Sequence, residues 1–307
     1  MKKILIAIML CAAALCAKVV NSGDLEKRNG LWYETKQTKP FSGTARAFYE
    51  GGQTRTELSF VEGVPEGPSK GYFPDGKLRS EGNFAQDKKT GVWKHYFENG
   101  NVQIVEEYSG DSCVVREYYE SGILSMERVI KDGKLNGPLK WYYETGKPQG
   151  ECNFTDDLQD GVETKYYEDG VTKKSEYAWV KGVITGRGAE YYPGGALRIE
   201  AQYKDDKKDG LYREFFEGGG LLGEVNFAGD KREGLLKQYD AAGKLILEVP
   251  YKDDLKEGLM KEYFPTGQVK TEAAFSKDLL NGFVKEYDEK GNVITTVEFR
   301  DNEPLVK

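Results

Sequence analysis

The chain has 307 residues, 51 acidic against 44 basic, and a formal net charge of −7. A surface this acidic does not bind nucleic acid through bulk electrostatics. Past the first 17 residues only two cysteines remain, Cys113 and Cys152, too few for a disulfide framework, and a single histidine, His95, argues against a histidine metal cluster and a Ser-His-Asp triad by inventory.

At the start, Lys2 and Lys3 precede an apolar run from Ile4 to Leu15, and Leu15-Cys16-Ala17 gives small residues before polar Lys18. This is the layout of a secretory signal peptide, too short to span a bilayer. Residues 1–17 are therefore expected to be cleaved after Ala17 and the chain to be exported, to periplasm, cell surface or medium. Removing two lysines and no acid lowers the charge to −9. The leucines before Cys11 and Cys16 fit a lipidation motif poorly. Residues 18–42 then form an N-terminal segment whose "NGLWYETKQTKPFSG" (29–43) reads as a divergent capping repeat.

From residue 43 to 300 one unit recurs eleven times. Its copies start at Gly43, Gly67, Gly91, Cys113, Gly137, Gly161, Gly186, Gly210, Gly234, Gly258 and Gly282; eight of ten spacings are 24 residues, one is 22 and one 25. With the first residue as position zero, position five is always aromatic (Phe48, Tyr72, Tyr96 through Tyr287) and position nine is always glycine (Gly52, Gly76 through Gly291). Position seventeen is aromatic in nine copies, Ile130 and Ala178 being the exceptions. Each unit reads as a β-hairpin: a β-prone run, a turn such as "PDG" or "ENG", and a second alternating run. Asn-Gly and Asp-Gly predict a two-residue type I′ turn.

That turn sets position three opposite fourteen and five opposite twelve. Position three is Lys or Arg in nine copies and fourteen is Glu in eight. The predicted cross-strand ion pairs include Arg46/Glu57, Lys70/Glu81, Lys140/Glu151, Lys237/Glu248 and Lys261/Glu272, each worth about 0.2–1 kcal/mol. Where the base becomes Thr164, Ser175 is expected to face it. One face of the sheet should carry the position-five tyrosines and these charges. The other should carry position six (Phe73, Phe97, Tyr119, Tyr143, Phe216, Phe264), position eleven (Leu78, Val102, Leu124, Leu197, Leu245, Val269) and the position-seventeen aromatics. This apolar stripe is the expected partner-binding face, and it also suits a homodimer. Residues 301–307 form a C-terminal tail.

The pattern G-x-x-x-x-Y-Y-x-x-G-x-L-x-x-E-x-x-F resembles the bacterial variant of the MORN repeat, over residues 43–300. The resemblance implies an all-β fold: an elongated, single-layer antiparallel array of about eleven hairpins, a MORN-like solenoid. It implies protein contacts, scaffolding or membrane-associated interaction at the cell envelope, without catalysis. Envelope-glycan binding, lipid binding and an antitoxin-like inhibitor role are the alternatives.

The remaining features carry little chemistry. Gly218-Gly219-Gly220 sits at a hairpin turn, without the βαβ context of a dinucleotide loop. The acidic loops "FTDDLQDG" and "YKDDKKDG" read as turn caps rather than calcium sites, because lysines interrupt the acids. No acid departs singly from the pattern as a catalytic acid should. His95 reads as solvated, Cys113 and Cys152 as free thiols, and Trp93, Trp141 and Trp179 as core filling. No cofactor and no metal are expected.

Overall fold

A computed structural model describes residues 18–305, so the signal-peptide expectation lies outside the described residues. Apart from one 3-10 turn at Ser22–Asp24, the regular structure of the described residues is entirely β. The chain divides into two compact units at strand Leu124–Lys131: residues up to 124 with 131–133, and residues 125–130 with 134 onward.

In the first unit, strands Gly43–Phe48, Thr54–Val61, Val64–Tyr72, Leu78–Ala85, Lys88–Tyr96, Val102–Ser109 and Ser112–Tyr118 pair antiparallel in chain order. Its first edge is covered. Val19–Asn21 pairs in parallel with Gly43–Phe48, and the hairpin Leu25–Arg28/Leu31–Glu34 stands beside it. Phe41, Ala45 and Phe60 form a buried cluster with Val20, Leu25, Trp32 and Leu58 packed on it. The backbone joins in: Trp32 N–H donates to Gly63 O at 2.9 Å and Gly63 N–H to Phe41 O at 2.8 Å. The second unit repeats the same hairpins from Lys134–Tyr142 to Val293–Arg300, after which Glu303–Pro304 pairs back on Phe299 and Arg300.

The turns correct the expected geometry. Within a hairpin, Gly76 N–H donates to Phe73 O (2.9 Å) and Phe73 N–H to Lys77 O (2.8 Å), so the loop has three residues. Only the glycine, at φ +86°, is left-handed. The Asp75 carboxylate instead accepts from Lys77 N–H at 3.0 Å. This is the three-residue loop with glycine last, not type I′. Such a loop alone would set position three opposite thirteen. A bulge at position twelve, recorded as the shift between Gly71 and Tyr72, restores three opposite fourteen and leaves five opposite eleven. Position eleven therefore shares a face with five, not with six.

Type I′ geometry does occur, but between repeats. Glu62/Gly63, Gln86/Asp87, Asp205/Asp206 and Asp253/Asp254 all carry positive φ at both residues. Beyond each such turn the next strand bulges at position zero, where glycine again takes positive φ, from +63° at Gly91 to +122° at Gly282. The 22-residue spacing is the exception that explains itself. Ser112 to Glu117 pairs with Ser109 to Ile104 without any shift. Two residues fewer means no bulge, no positive φ, and room for the Cβ of Cys113.

The core lies on the face of positions zero, two, fifteen and seventeen: Trp93, Val115, Cys152, Ala201, Val225, Val249 and Ala273 are buried there. Large and small side chains interlock across it. Phe84 and Trp93 meet edge-on at 5.0 Å, and the Trp93 indole lies where a Cβ on Gly82 would stand, 2.1 Å away. Trp141 lies on Gly150 in the same way, which supports the core-filling reading. Basic side chains roof this face. Lys89 lies over Trp93, Lys208 over Tyr212 and Lys256 over Phe275, each at 4.8 Å, and Arg232 over Tyr251 at 4.0 Å.

Candidate functional site

The opposite face is a charge ladder. In the second unit Glu151 lies between Lys140 and Thr164, and Glu200, Arg213, Glu224, Lys237, Glu248, Lys261, Glu272 and Lys285 follow one another as cross-strand partners. In the first unit the row runs Arg46, Glu57, Lys70, Glu81, Lys94. Contacts include Arg46–Glu57 at 2.7 Å, Arg213–Glu224 at 3.4 Å, Lys261–Glu272 at 3.7 Å and Lys140–Glu151 at 3.8 Å. Lys70/Glu81 and Lys237/Glu248 face each other as strand partners without closing to an ion pair in the described structure. Most of these groups are half-exposed, so the row sets register more than it adds stability.

One expected pairing is wrong. The repeat with 25-residue spacing carries its extra residue in the turn, where Tyr167 N–H reaches Thr172 O. Thr164 therefore faces Glu176, and Ser175 faces Lys165. For the same reason Trp179, not Ala178, stands opposite Gly161 and joins the aromatic column, leaving Ile130 as its one exception among the eleven copies. Ala189 takes the basic position in the next copy, and Arg187 substitutes for it, 2.7 Å from Glu200 and 3.9 Å from Glu176.

A second use of the glutamates was not legible from pairing alone. In five places the position-five tyrosine of the following repeat donates its hydroxyl to the position-fourteen carboxylate: Tyr72 to Glu57 (3.1 Å), Tyr96 to Glu81 (2.7 Å), Tyr166 to Glu151 (3.3 Å), Tyr263 to Glu248 (2.7 Å) and Tyr287 to Glu272 (2.9 Å). Burial, then the Glu81 hydrogen bond and charge, push the Tyr96 phenol up to about 12, and Glu248 acts likewise on Tyr263, again to about 12. A pKa raised from 10.0 means the folded state holds its proton where the unfolded chain has lost it. The clamp is fully present below pH 10 and is lost as pH climbs toward 12. Thermal midpoints should therefore fall across that window, and less steeply for Tyr96→Phe/Tyr263→Phe. Equal slopes would remove the clamp from the stability account.

The residues expected to bind a partner lie elsewhere. Phe73, Phe97, Tyr119, Tyr143, Phe216 and Phe264 are all half-buried beside the hairpin turns. Tyr143 donates its hydroxyl to Tyr166 O at 2.8 Å, as Tyr49, Tyr167 and Tyr192 do to Tyr72, Tyr191 and Phe215. They staple one turn to the next. The exposed apolar row is position one, on the ladder face: Val92 in the first unit, and Val162, Leu235, Leu259 and Phe283 in the second, each 40–52% exposed. Sequence reasoning missed it because Thr44, Pro68, Pro138 and Arg187 interrupt the column.

The acidic loops are also staples. The carboxylates of Asp157, Asp206, Asp230 and Asp278 accept from the N–H of Leu135, Ile184, Lys208 and Lys256, 22 residues earlier, at 2.7–2.8 Å. Their own N–H groups donate back to the carbonyls of the same four residues. No group of three or more candidate metal ligands occurs among the described residues.

One acid does depart from the pattern. Glu106 occupies the core column at position fifteen, with Lys89 at 2.6 Å and His95 at 3.5 Å. Burial alone would raise its carboxyl, but the bonds from Lys89 and His95 outweigh it and hold it low. His95 is thus a partner of a core-facing acid rather than simply solvated. Cys113, nearby, is raised by burial and then by Glu106, and Cys152 is raised to about 11 by burial and then by Glu163. Both are buried free thiols, poorly suited as nucleophiles.

These features define a β-hairpin repeat protein with one interlocked face and one ladder face. Five segments, residues 65–86, 89–109, 135–156, 232–253 and 256–277, match the MORN repeat variant, so the chain carries repeats of that family. MORN repeats are interaction modules for proteins and membranes, in a non-catalytic repeat family. No match was found among curated proteins. Among solved structures, "Crystal Structure of TcdB2-TccC3" is similar at 11% identity and a TM-score of 0.19, over 84% of this chain and 18% of that one. The chain thus spans under a fifth of that structure's length, and so slight a likeness carries no argument.

Proposed function

We propose that this is an exported, non-enzymatic interaction protein whose ladder face receives a protein partner at the cell envelope or surface. The observation that carries the reading is the exposed row Val162, Leu235, Leu259 and Phe283 alongside the Lys–Glu–Tyr ladder. Protein interfaces combine an apolar, aromatic-enriched centre with a polar rim, and here exposed apolar side chains stand beside tyrosines with the charges flanking them. The n-region lysines and apolar run at the start of the chain support export. Net charge disfavours an anionic lipid surface as first target.

The test is crosslinking in the native cell, comparing the wild-type chain with Leu235→Asp/Leu259→Asp/Phe283→Asp. These side chains are already exposed, so the thermal midpoint should shift little while capture of the protein partner falls at least tenfold. Undiminished capture by the triple variant would move the binding face elsewhere. Recovery on liposomes or glycans alone would replace the protein partner with a lipid or sugar.

A further inference from the structure

The ladder has one internal gap. In the copy that starts at Gly91, position fourteen is Val105, which occupies the place where glutamate serves every other internal rung. Val105 pairs with Lys94 on one side and with Arg116 on the other. The tyrosine that should donate to this carboxylate is Tyr118, position five of the following repeat. Neither the Tyr118 hydroxyl nor the Lys94 ammonium has a hydrogen-bond or ion-pair partner among the described residues. Arg116 is engaged from its flank by Glu107 at 2.9 Å.

A cavity of about 660 Å³ opens over this gap, lined in part by Lys70, Lys94, Val105, Arg116 and Tyr118. Two acids also line it, and both are occupied. Glu81 takes the Tyr96 hydroxyl and Glu107 takes Arg116. Three cations against two committed carboxylates leave the cavity net positive, on a chain that is net negative. Its floor, Val92 and Val105, is apolar.

We propose that the gap is a binding site for a carboxylate side chain of an acidic peptide segment on the protein partner. The incoming Glu or Asp restores the missing rung: it accepts from Lys94 and from the Tyr118 hydroxyl, while its methylenes cover Val105. A charge-assisted pair of this kind gives orientation as well as affinity. Exposed Val92, at 47%, extends the apolar contact beside it. The proposal rests on the interaction reading above and names the chemistry of the partner.

The test titrates full-length chain with a fluorescein-labelled peptide of alternating Glu and Gly, and with its Gln counterpart, near 0.15 M salt. There the chain's distant charges are screened beyond about 8 Å. The Glu peptide should bind at least tenfold more tightly than the Gln peptide. Val105→Glu supplies the rung from within; it should weaken the Glu peptide about tenfold, the loss of one charge-assisted bond, without lowering the thermal midpoint. Lys94→Ala should weaken it too. Equal binding of the two peptides, or a Val105→Glu chain that binds like wild type, overturns the proposal. So does citrate at matched charge competing as well as the peptide. If native crosslinking captures a partner that the Glu peptide does not displace, this site falls and the interaction reading stands.

Discussion

Trp93→Ala is expected to destabilise the first unit by about 3–5 kcal/mol in denaturant unfolding, the range for deleting a large buried aromatic ring. The ring is 5% exposed, stacks edge-on against Phe84, carries Lys89 over its face, and donates its indole N–H to Asn83 O at 2.9 Å. Beneath it lies Gly82. Gly82→Ala should cost about 1–3 kcal/mol by overpacking, because its Cβ would meet the indole at 2.1 Å. In the Trp93→Ala background the same substitution should cost almost nothing, since the clash has gone. A double-mutant cycle reads this coupling directly. Additive losses would mean that Gly82 is needed for its backbone rather than for the ring.

Deleting residues 18–40 should have the second large effect. The deletion removes Val20, Leu25 and Trp32 from the Phe41/Ala45/Phe60 cluster and uncovers strand Gly43–Phe48 along the edge that Val19–Asn21 now occupies. A free edge of unpaired N–H and C=O groups recruits other strands. The truncated chain should therefore associate into dimers or larger species by light scattering and lose stability in its first repeats. A monomer with unchanged unfolding would show that the segment is ornamental to the fold.

Much of the fold could be read from the columns. The 24-residue period, the glycine at nine, and the Lys–Glu register all follow from residue identity. Yet the register came out right through two compensating departures. The turn has one residue more than expected, and the bulge at position twelve absorbs it. A bulge leaves no mark in hydrophobic alternation, which is why position eleven was assigned to the wrong face. The 25-residue copy misled for the same reason: counting from its glycine placed Ser175 where the structure places Glu176.

The site was less legible. Position six is aromatic in nine copies and looks like a stripe, but the hydroxyls of Tyr49, Tyr143, Tyr167 and Tyr192 reach backbone carbonyls of the next repeat, a use that composition does not reveal. Conversely Glu106 and Val105 were visible as departures from columns fifteen and fourteen. Neither residue announces a chemistry by its type alone. An isolated valine in a glutamate row is informative only once the tyrosine and lysine that would have met it are located.

The aspartate staples between successive turns bear on how such a chain can change its length. Each of these four carboxylates grips the backbone one module back, so these four joints are interchangeable. Duplicating or excising a whole module recreates the same joint at the new seam, while gaining or losing one residue at a seam breaks it. Copy number is thereby free to vary in whole steps, and the ladder face can be lengthened or shortened without redesigning any part of it.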